Sequence, residues 1–525
     1  MGNYIDLENK VSLSNSCIWK LQQDYFKKLG KSAWEGQVPF YVTSNTKFSF
    51  SIANIVFNYL LELISKNKVN IDEPLYILEF GSGLAKFGFH FMTKLAELKD
   101  THNLSHIQTP YILTDLPEEN MRFWESNKQL KPFLDNKQCD FAKINIENFS
   151  NIETVKHNFI IDNNTIKNPL IVLCNYLIDS VPHDCFKISN NQINEVLVST
   201  QIKEDYKNKT IDHLNQLKFE FSFKEINNDH YEDPILNDIL NNYKETIYDS
   251  HILIPTSGIK ILKTILNKFS KNTLLVVSDK GWSNKKFIDQ QGEPHIAFHG
   301  SFSLMVNFDT LKQYTESIGG SSVITSTGLS GLKTGLFHLS ENLNLFSKTI
   351  TSFNSYLNAT TDDFLTIKNS MLANIDSLSA NVILSLLKYS EWDEKIFSSV
   401  SKRLEKVLPN EPMNIKLEFI NYLPNIEKNI FEVNLNNSIT YLDLGNIYYS
   451  LAEYKKAKEM FNYYNERNST DWASFHNLGL ALFYLREYDQ AMSTFKTALN
   501  LKADSEISQE WVDYIKTEYL EVNSK

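Results

Sequence analysis

The chain has little cysteine, no surplus of positive charge and no long apolar run, and each shortage removes a class of protein. Its four cysteines (Cys17, Cys139, Cys174 and Cys185) form neither a CxxC pair nor a spacing with histidine that would hold a metal. They read as reduced thiols of a cytoplasmic protein, and no metal site is expected. Lysine and arginine number 52 against 63 aspartates and glutamates, a net charge of −11, which argues against nucleic acid as a main partner. The opening MGNYIDLENK lacks the apolar core of a secretion signal, and no run approaches the ~18 apolar residues of a membrane span, so no membrane partner is expected. Gly2 does not open a myristoylation signal, because Asp6 stands where Ser or Thr is required. What remains is a folded protein: 42% hydrophobic and 13% aromatic in 525 residues, enough for two or three domains and a large core.

From about residue 70 to 340, short β-rich runs alternate with helical segments. The runs are LYILEF (75–80), YILTDL (111–116), LIVLCNYL (170–177), TLLVVSD (273–279) and SSVITS (321–326). Nearly continuous apolar runs mark strands covered on both faces. The pattern predicts a doubly wound, Rossmann-like α/β domain over 71–345, preceded by a helical segment over 1–70 that is expected to contribute to the cofactor site. A polar, Asn- and Lys-rich stretch at about 185–250 reads as an insertion outside the sheet.

After residue 345 the strand signals stop. Residues 346–430 read as a helical linker or a degenerate repeat, with MLANIDSLSANVILSLLKYSEWDEKIFSSVSKRLEKVL (371–408) helical by period. Over 431–510, Gly445, Tyr454, Ala457 and Phe461 recur 34 residues later as Gly479, Tyr488, Ala491 and Phe495. A period of 34 with a glycine, a small residue and an aromatic at these offsets is a tetratricopeptide-repeat signature. The glycine lets helices pack closely, and Ala457 is placed where the paired helices cross.

The segment YILEFGSGLAKFGFHF (76–91) carries the chemistry. An apolar strand ends in Glu79, followed by Gly81 and Gly83 and then a helix, with Ala85 where a dinucleotide fingerprint would want a third glycine. Glycines let backbone amides approach a ligand, and the helix start adds positive potential. No Lys-Ser/Thr pair follows, so this is not a phosphate-binding P-loop. An acid ahead of the glycines suits a cationic amino acid moiety rather than a pyrophosphate. Asp115, ending the next strand, is placed to hold ribose hydroxyls; the alternative is a helix N-cap ahead of LPEENMRFW. The combination fits S-adenosylmethionine better than NAD or ATP. Asn145 and Ile146, in a further strand region CDFAKINIENF (139–149), fall where related folds bracket an adenine.

Residues 37 to 340 resemble the MidA-like S-adenosylmethionine-dependent methyltransferases, a family that includes the mitochondrial complex I assembly arginine methyltransferase. The glycine loop, VPFYVTSNTKFSFSIANIVFNYL, LCNYLIDSVPHDCFKI and HGSFSLMVNFDTLKQYTESIGG match family segments in order. The resemblance implies Thr43 and Ser44 as further cofactor residues and Asn175 and Asp179 as catalytic ones, with arginine as the acceptor. Two departures bear on the acceptor. Tyr176 stands where the family has glutamate, leaving Asp179, with Asp184 as a second candidate, to meet a guanidinium. Lys280 replaces a tyrosine. His183 and His299 are candidate bases that read equally as hydrogen-bonded loop histidines.

The expectation is therefore a methyltransferase acting on a protein, with the repeats docking the target or an adaptor. The alternatives are a small-molecule methyltransferase, or a scaffold whose repeats carry the function and whose α/β domain is inactive.

Overall fold

The computed structural model describes residues 3–34, 40–325, 331–357, 361–434 and 438–520. The chain divides into two compact units, Met1–Asp363 and Phe364–Lys525.

In chain order the first unit contains β1 (Tyr4–Ser12), α1 (Cys17–Leu29), α2 (Tyr41–Ser44), α3 (Thr46–Ser65), β2 (Ile77–Phe80), α4 (Lys86–Thr101), β3 (Tyr111–Asp115), α5 (Glu118–Ser126), β4 (Cys139–Lys143) and β5 (Leu170–Asn175). Then come β6 (Asp184–Ser189), β7 (Gln192–Lys203), β8 (Lys218–Glu225), α6 (Pro234–Thr246), β9 (Asp249–Ile254), α7 (Thr256–Lys268) and β10 (Thr273–Trp282). The unit closes with β11 (Ala297–His299), β12 (Ser301–Ser303), α8 (Phe308–Ser317), β13 (Ser321–Ile324), β14 (Leu332–His338) and α9 (Ser347–Leu357).

The main sheet runs β13-β14-β10-β5-β2-β3-β4. Strands β10, β5, β2, β3 and β4 are parallel, while β14 is antiparallel to β10 and β13 to β14. The near-continuous apolar sequence of β2 and β5 follows from burial on both faces, since every residue of β2 and all of β5 up to Cys174 are buried. Chain order reverses between β2 and β5, and register aligns Phe80 with Thr114 and Cys174, and Asn175 with Ser278. The carboxyl ends thus form one rim at the topological switch point, where ligands bind in open α/β sheets.

The five quoted strand runs are all strands. The last ends at Ile324, and Ser326 lies outside the described residues. Strand β14 (LKTGLFH) was not expected. Residues 184–254 form most of a second, antiparallel sheet of order β1-β7-β6-β9, with β8 on the other edge of β7. Its first strand departs from the helical reading of 1–70: Ile5, Leu7 and Val11 interleave with polar residues, an extended pattern, and β1 pairs with β7 nearly two hundred residues away.

Helix α3 is another departure. By length and composition it is apolar enough to cross a membrane, and 78% of that stretch is buried inside the unit. It packs against α4 and α9, and Glu62 accepts hydrogen bonds from the Thr349 amide (2.9 Å) and hydroxyl (2.7 Å).

The second unit is helical. It includes α10 (Ala380–Tyr389), α11 (Glu394–Val407), α12 (Met413–Asn429), α13 (Ile439–Ser450), α14 (Tyr454–Asn465), α15 (Trp472–Tyr484), α16 (Tyr488–Leu501) and α17 (Glu506–Ile515). Gly445 on α13 and Gly479 on α15 do the same work 34 residues apart. A Cβ would lie 2.5 Å from the Phe461 ring in one and 2.7 Å from the Phe495 ring in the other. Ala457 and Ala491 are fully buried.

Candidate active site

Strand β2 ends at Phe80, and α4 starts at Lys86. Between them the backbone turns left-handed three times, at Gly81 (φ +70), Gly83 (+51) and Ala85 (+58). Ala85 thus adopts the conformation of the glycine it replaces, at a cost of about 1–2 kcal/mol. The loop is sewn to β3. The Ser82 amide donates to Thr114 O (2.9 Å), the Thr114 amide to Ser82 Oγ (3.1 Å), and Thr114 Oγ1 to Glu79 O (2.8 Å).

Asp115 completes this seam. Its Oδ2 accepts from the Gly83 amide (2.9 Å) and Asn120 Nδ2 (3.0 Å), and its Oδ1 from the Leu116 amide (2.7 Å). It does not cap the following helix: the cap position of α5 is Pro117, with no side-chain hydrogen bond. Burial raises its carboxyl above the usual range. Glu79 is buried too, and desolvation pushes its carboxyl up to about 8. Its Oε2 has no hydrogen-bond partner. Gly88, on the first turn of α4, makes room for that oxygen, since a Cβ there would lie 2.9 Å from it.

A cavity opens on this loop, walled by Thr43, Ser44, Glu79, Gly81, Gly83 and Asn175. Thr43 and Ser44 lie buried on α2; Val38 and Pro39 of the same sequence motif lie outside the described residues. Asn175 ends β5, and its Nδ2 has no hydrogen-bond partner. A larger cavity shares Trp34, Gly81 and Tyr176 with the first. On one side it is lined by Asp115, Asn145 and Ile146, on the other by Tyr176, Asp179 and Lys280. All ten candidate cofactor and catalytic residues therefore lie in the walls of two adjoining cavities.

The N-terminal segment expected to contribute to the cofactor site supplies the roof, through side chains that the sequence does not single out. Trp19, Gln23 and Phe26 of α1 line the larger cavity, and Trp34 comes within 3.2 Å of where a Gly83 Cβ would be. Gln23 Nε2 donates to Glu147 Oε2 across the opening (2.9 Å). No local spacing marks these residues; the N-terminal tryptophans were the one available signal.

On the acceptor side, Tyr176 has a left-handed backbone (φ +49), and its amide donates to Ser278 O (2.9 Å). Asp179 is buried, and Ser180 Oγ donates to its Oδ1 (2.7 Å). Desolvation lifts its carboxyl to about 6, with the Lys280 charge pulling the other way. Asp279, a second missed residue, supports the turn beneath: its carboxylate accepts from the amides of Asp179 (3.1 Å) and Lys280 (2.9 Å). Burial, then the charge of Asp179, holds the Asp279 carboxyl far above the usual range.

Asp184 does not join the site. It starts β6, accepts from the Tyr231 hydroxyl (2.8 Å) and lines neither cavity, because the chain turns away at Pro182 into the second sheet. His183 is also structural: buried, stacked on Trp19, with Nδ1 bonded to Val181 O (2.7 Å) and its pKa lowered by burial to about 4. His299 does line the larger cavity, with its Nε2 hydrogen-bonded to Ser303 Oγ (3.1 Å). Among the described residues, no group of His, Cys, Asp and Glu has the arrangement of a metal site, and all four cysteines are free.

A family described as "Putative S-adenosyl-L-methionine-dependent methyltransferase" matches residues 55–319, half of the chain. The chain belongs to this family. A tetratricopeptide-repeat family also matches residues 473–505 of the second unit. Among solved structures similar to the methyltransferase is a superfamily protein from Burkholderia thailandensis bound to S-adenosyl-homocysteine. It is 12% identical, with a TM-score of 0.40, and the match covers 64% of this chain and 90% of that one. An uncharacterized protein of the same superfamily and organism gives 12% and 0.39 with the same coverage. An O-methyltransferase family protein from that organism gives 9% and 0.25, over 62% of this chain and 70% of that one. These TM-scores lie under 0.5, and the family assignment rests on the sequence match. A comparison with curated proteins gives no match.

The methyltransferase's residues fit the family's cofactor, S-adenosyl-L-methionine. Its methionine end carries an ammonium and a carboxylate, and the smaller cavity is walled by the buried carboxyl of Glu79 and by Asn175, whose buried amide N–H has no partner. Glu79 and Asn175 would hold that end, and the left-handed turns let the backbone approach it. Asp115 would hold the ribose, with Asn145 and Ile146 beside the adenine.

Proposed function

We propose that the methyltransferase domain modifies a protein side chain, arginine first, and that the C-terminal repeats recruit the target or an adaptor. The observation that carries the reading is Asp179. It is a buried carboxyl in the wall of the larger cavity, where the Ser180 hydroxyl and the Lys280 charge favour its ionised form against the cost of burial. A carboxylate in that place orients a guanidinium and offsets its charge. Bound S-adenosylmethionine supplies an electrophilic methyl group on a sulfonium, and its transfer depends chiefly on positioning. The chain's own contribution follows from the geometry. Asp279 holds the turn that presents Asp179, α1 and Trp34 exclude water, and Glu79 and Asn175 fix the amino acid end of the cofactor. The helical repeats offer an extended surface suited to a peptide or a protein.

Lys280 favours a second reading. Its ammonium lines the same cavity and acts on Asp179, so it competes with a cationic acceptor. A neutral small-molecule acceptor suits that charge better than arginine does. The test starts with calorimetric titration by S-adenosylmethionine and S-adenosylhomocysteine. Methyl-labelled cofactor is then incubated with the protein and lysate. Labelled methylarginine in hydrolysed protein supports the first reading, label confined to small molecules supports the second, and no cofactor binding leaves the scaffold alternative.

A further inference from the structure

The second sheet has three outer strands, and two of them are protected. Strand β1 is broken by register shifts between Asp6 and Glu8 and between Glu8 and Val11. Strand β9 is covered by a following loop, where the His251 amide donates to Gln291 O and the Gln290 amide to Asp249 O, both at 3.0 Å. Strand β8 has neither device. Its eight residues, KFEFSFKE, pair with β7 in one unbroken register from Lys218↔Gln201 to Glu225↔Asn194, without proline or glycine. Among the described residues, no strand pairs with its outer edge. Straight, uncovered edges are templates for another strand, and proteins ordinarily blunt them.

We propose that β8 joins the β8 of a second copy of this chain, antiparallel about a two-fold axis at Ser222. The sequence of the edge selects that occupant. In this register Lys224 of each copy lies opposite Glu220 of the other, so opposite charges meet twice on one face. Phe221 lies opposite Phe223 twice on the other face, which covers the Phe223 ring, 53% exposed in the single chain. Shifting the axis by one residue to Phe221 sets Lys218 against Lys224, a further shift to Glu220 sets two glutamates together, and a shift the other way to Phe223 sets Lys224 against Ser222 and loses both opposite-charge pairs. Opposite charges directly across a strand pair stabilise it and like charges oppose it, so one register is favoured. The phenylalanine face already has a backing, since Phe219 stacks on Phe298 of β11 at 6.2 Å and 5°.

A join of two short strands belongs with small interfaces, those under about 1,200 Å², which are weak and exchange. The expected behaviour is a monomer–dimer equilibrium that shifts with protein concentration. Sedimentation velocity of the full chain across a wide concentration range tests it directly. A sedimentation coefficient that stays monomeric at every concentration overturns the proposal.

Charge reversal then identifies the edge. Glu220→Lys alone and Lys224→Glu alone each turn two attractions into two repulsions and weaken association by roughly tenfold or more. The double variant E220K/K224E restores the pairing and brings the dimer back. Association unchanged by the single variants, or not restored by the double one, overturns the proposed edge. Neither residue touches the cofactor cavities, so unchanged binding of S-adenosylhomocysteine establishes that each variant is folded, while a small drop in melting temperature is expected because Glu220 lies 3.0 Å from Lys218 and Lys224 3.7 Å from Glu195 within one copy.

Discussion

Replacing Glu79 by glutamine should make the protein more stable and a poorer binder of its cofactor. The carboxyl sits near pKa 8 in the folded chain against 4.5 when free, because burial disfavours its charge. The folded state therefore holds a proton that the unfolded state has released between those values, and stability falls as pH rises through that window. At about 1.4 kcal/mol per pKa unit, the ceiling is about 5 kcal/mol, and partial relaxation of the pocket will reduce it. The glutamine side chain keeps the shape and has no charge to bury. The variant should match the wild type near pH 5 and exceed its melting temperature by several degrees at pH 8. Cofactor affinity should move the other way. A charge-assisted hydrogen bond is worth about 1.5–3 kcal/mol, and releasing the proton at pH 7 costs about 1.4 kcal/mol of it, so loss of the carboxylate that meets the ammonium should weaken binding by up to roughly 15-fold at that pH. The assays are thermal unfolding at pH 5, 6.5 and 8, and titration with S-adenosylhomocysteine at pH 7 in two buffers of different ionisation heat. Wild-type binding should release a proton, and the variant's should not. A variant no more stable than wild type at pH 8, or one that binds equally well, would refute the reasoning.

Gly81→Arg places a side chain on a left-handed residue whose Cβ would already lie 3.1 Å from Leu177. Cofactor binding should vanish in calorimetry while circular dichroism stays that of the folded chain. Asp179→Asn should lower kcat/KM for the protein acceptor. It should also remove the acidic limb of the pH profile near pH 6, where the wild-type carboxyl takes up its proton and loses activity. Gly479→Ala drives a Cβ to 2.7 Å from the Phe495 ring, an overpacking worth about 1–3 kcal/mol. Denaturant unfolding should show the loss in the helical unit, with cofactor affinity unchanged.

What could be read in the sequence was whatever is written locally. The glycine loop shows itself because few residues besides glycine accept φ values of +70 and +51 in succession. The paired helices show themselves because Gly445 and Gly479 face equivalent rings 34 residues apart. The parallel strands stand out because burial on both faces leaves no polar alternation. What could not be read depends on distant contacts. Trp19 becomes a cavity wall only when α1 folds over the sheet. Asp279 becomes a support for Asp179 only when β10 lies beside β5. The space at Gly88 matters only because Glu79, nine positions earlier, points at it. Asp184 was misplaced for the same reason: the motif shows its distance along the chain from Asp179, and not that the chain leaves the rim at Pro182.

Strand β1 has a consequence for synthesis. Asp6 lies opposite Gln201, so β1 emerges from the ribosome long before its partner does. At roughly 5–20 residues per second, the wait is about 10–40 s. The adjoining helix waits longer still, because Gln22 Nε2 donates to the carbonyl of Phe302 (2.9 Å). These residues are thus made long before they are built in, and the ligand chamber gains its ceiling only after the segment around Phe302 has been translated. A nascent chain stalled before Gln192 would expose an unpaired strand and the apolar side of an unseated helix, the kind of surface that chaperones bind.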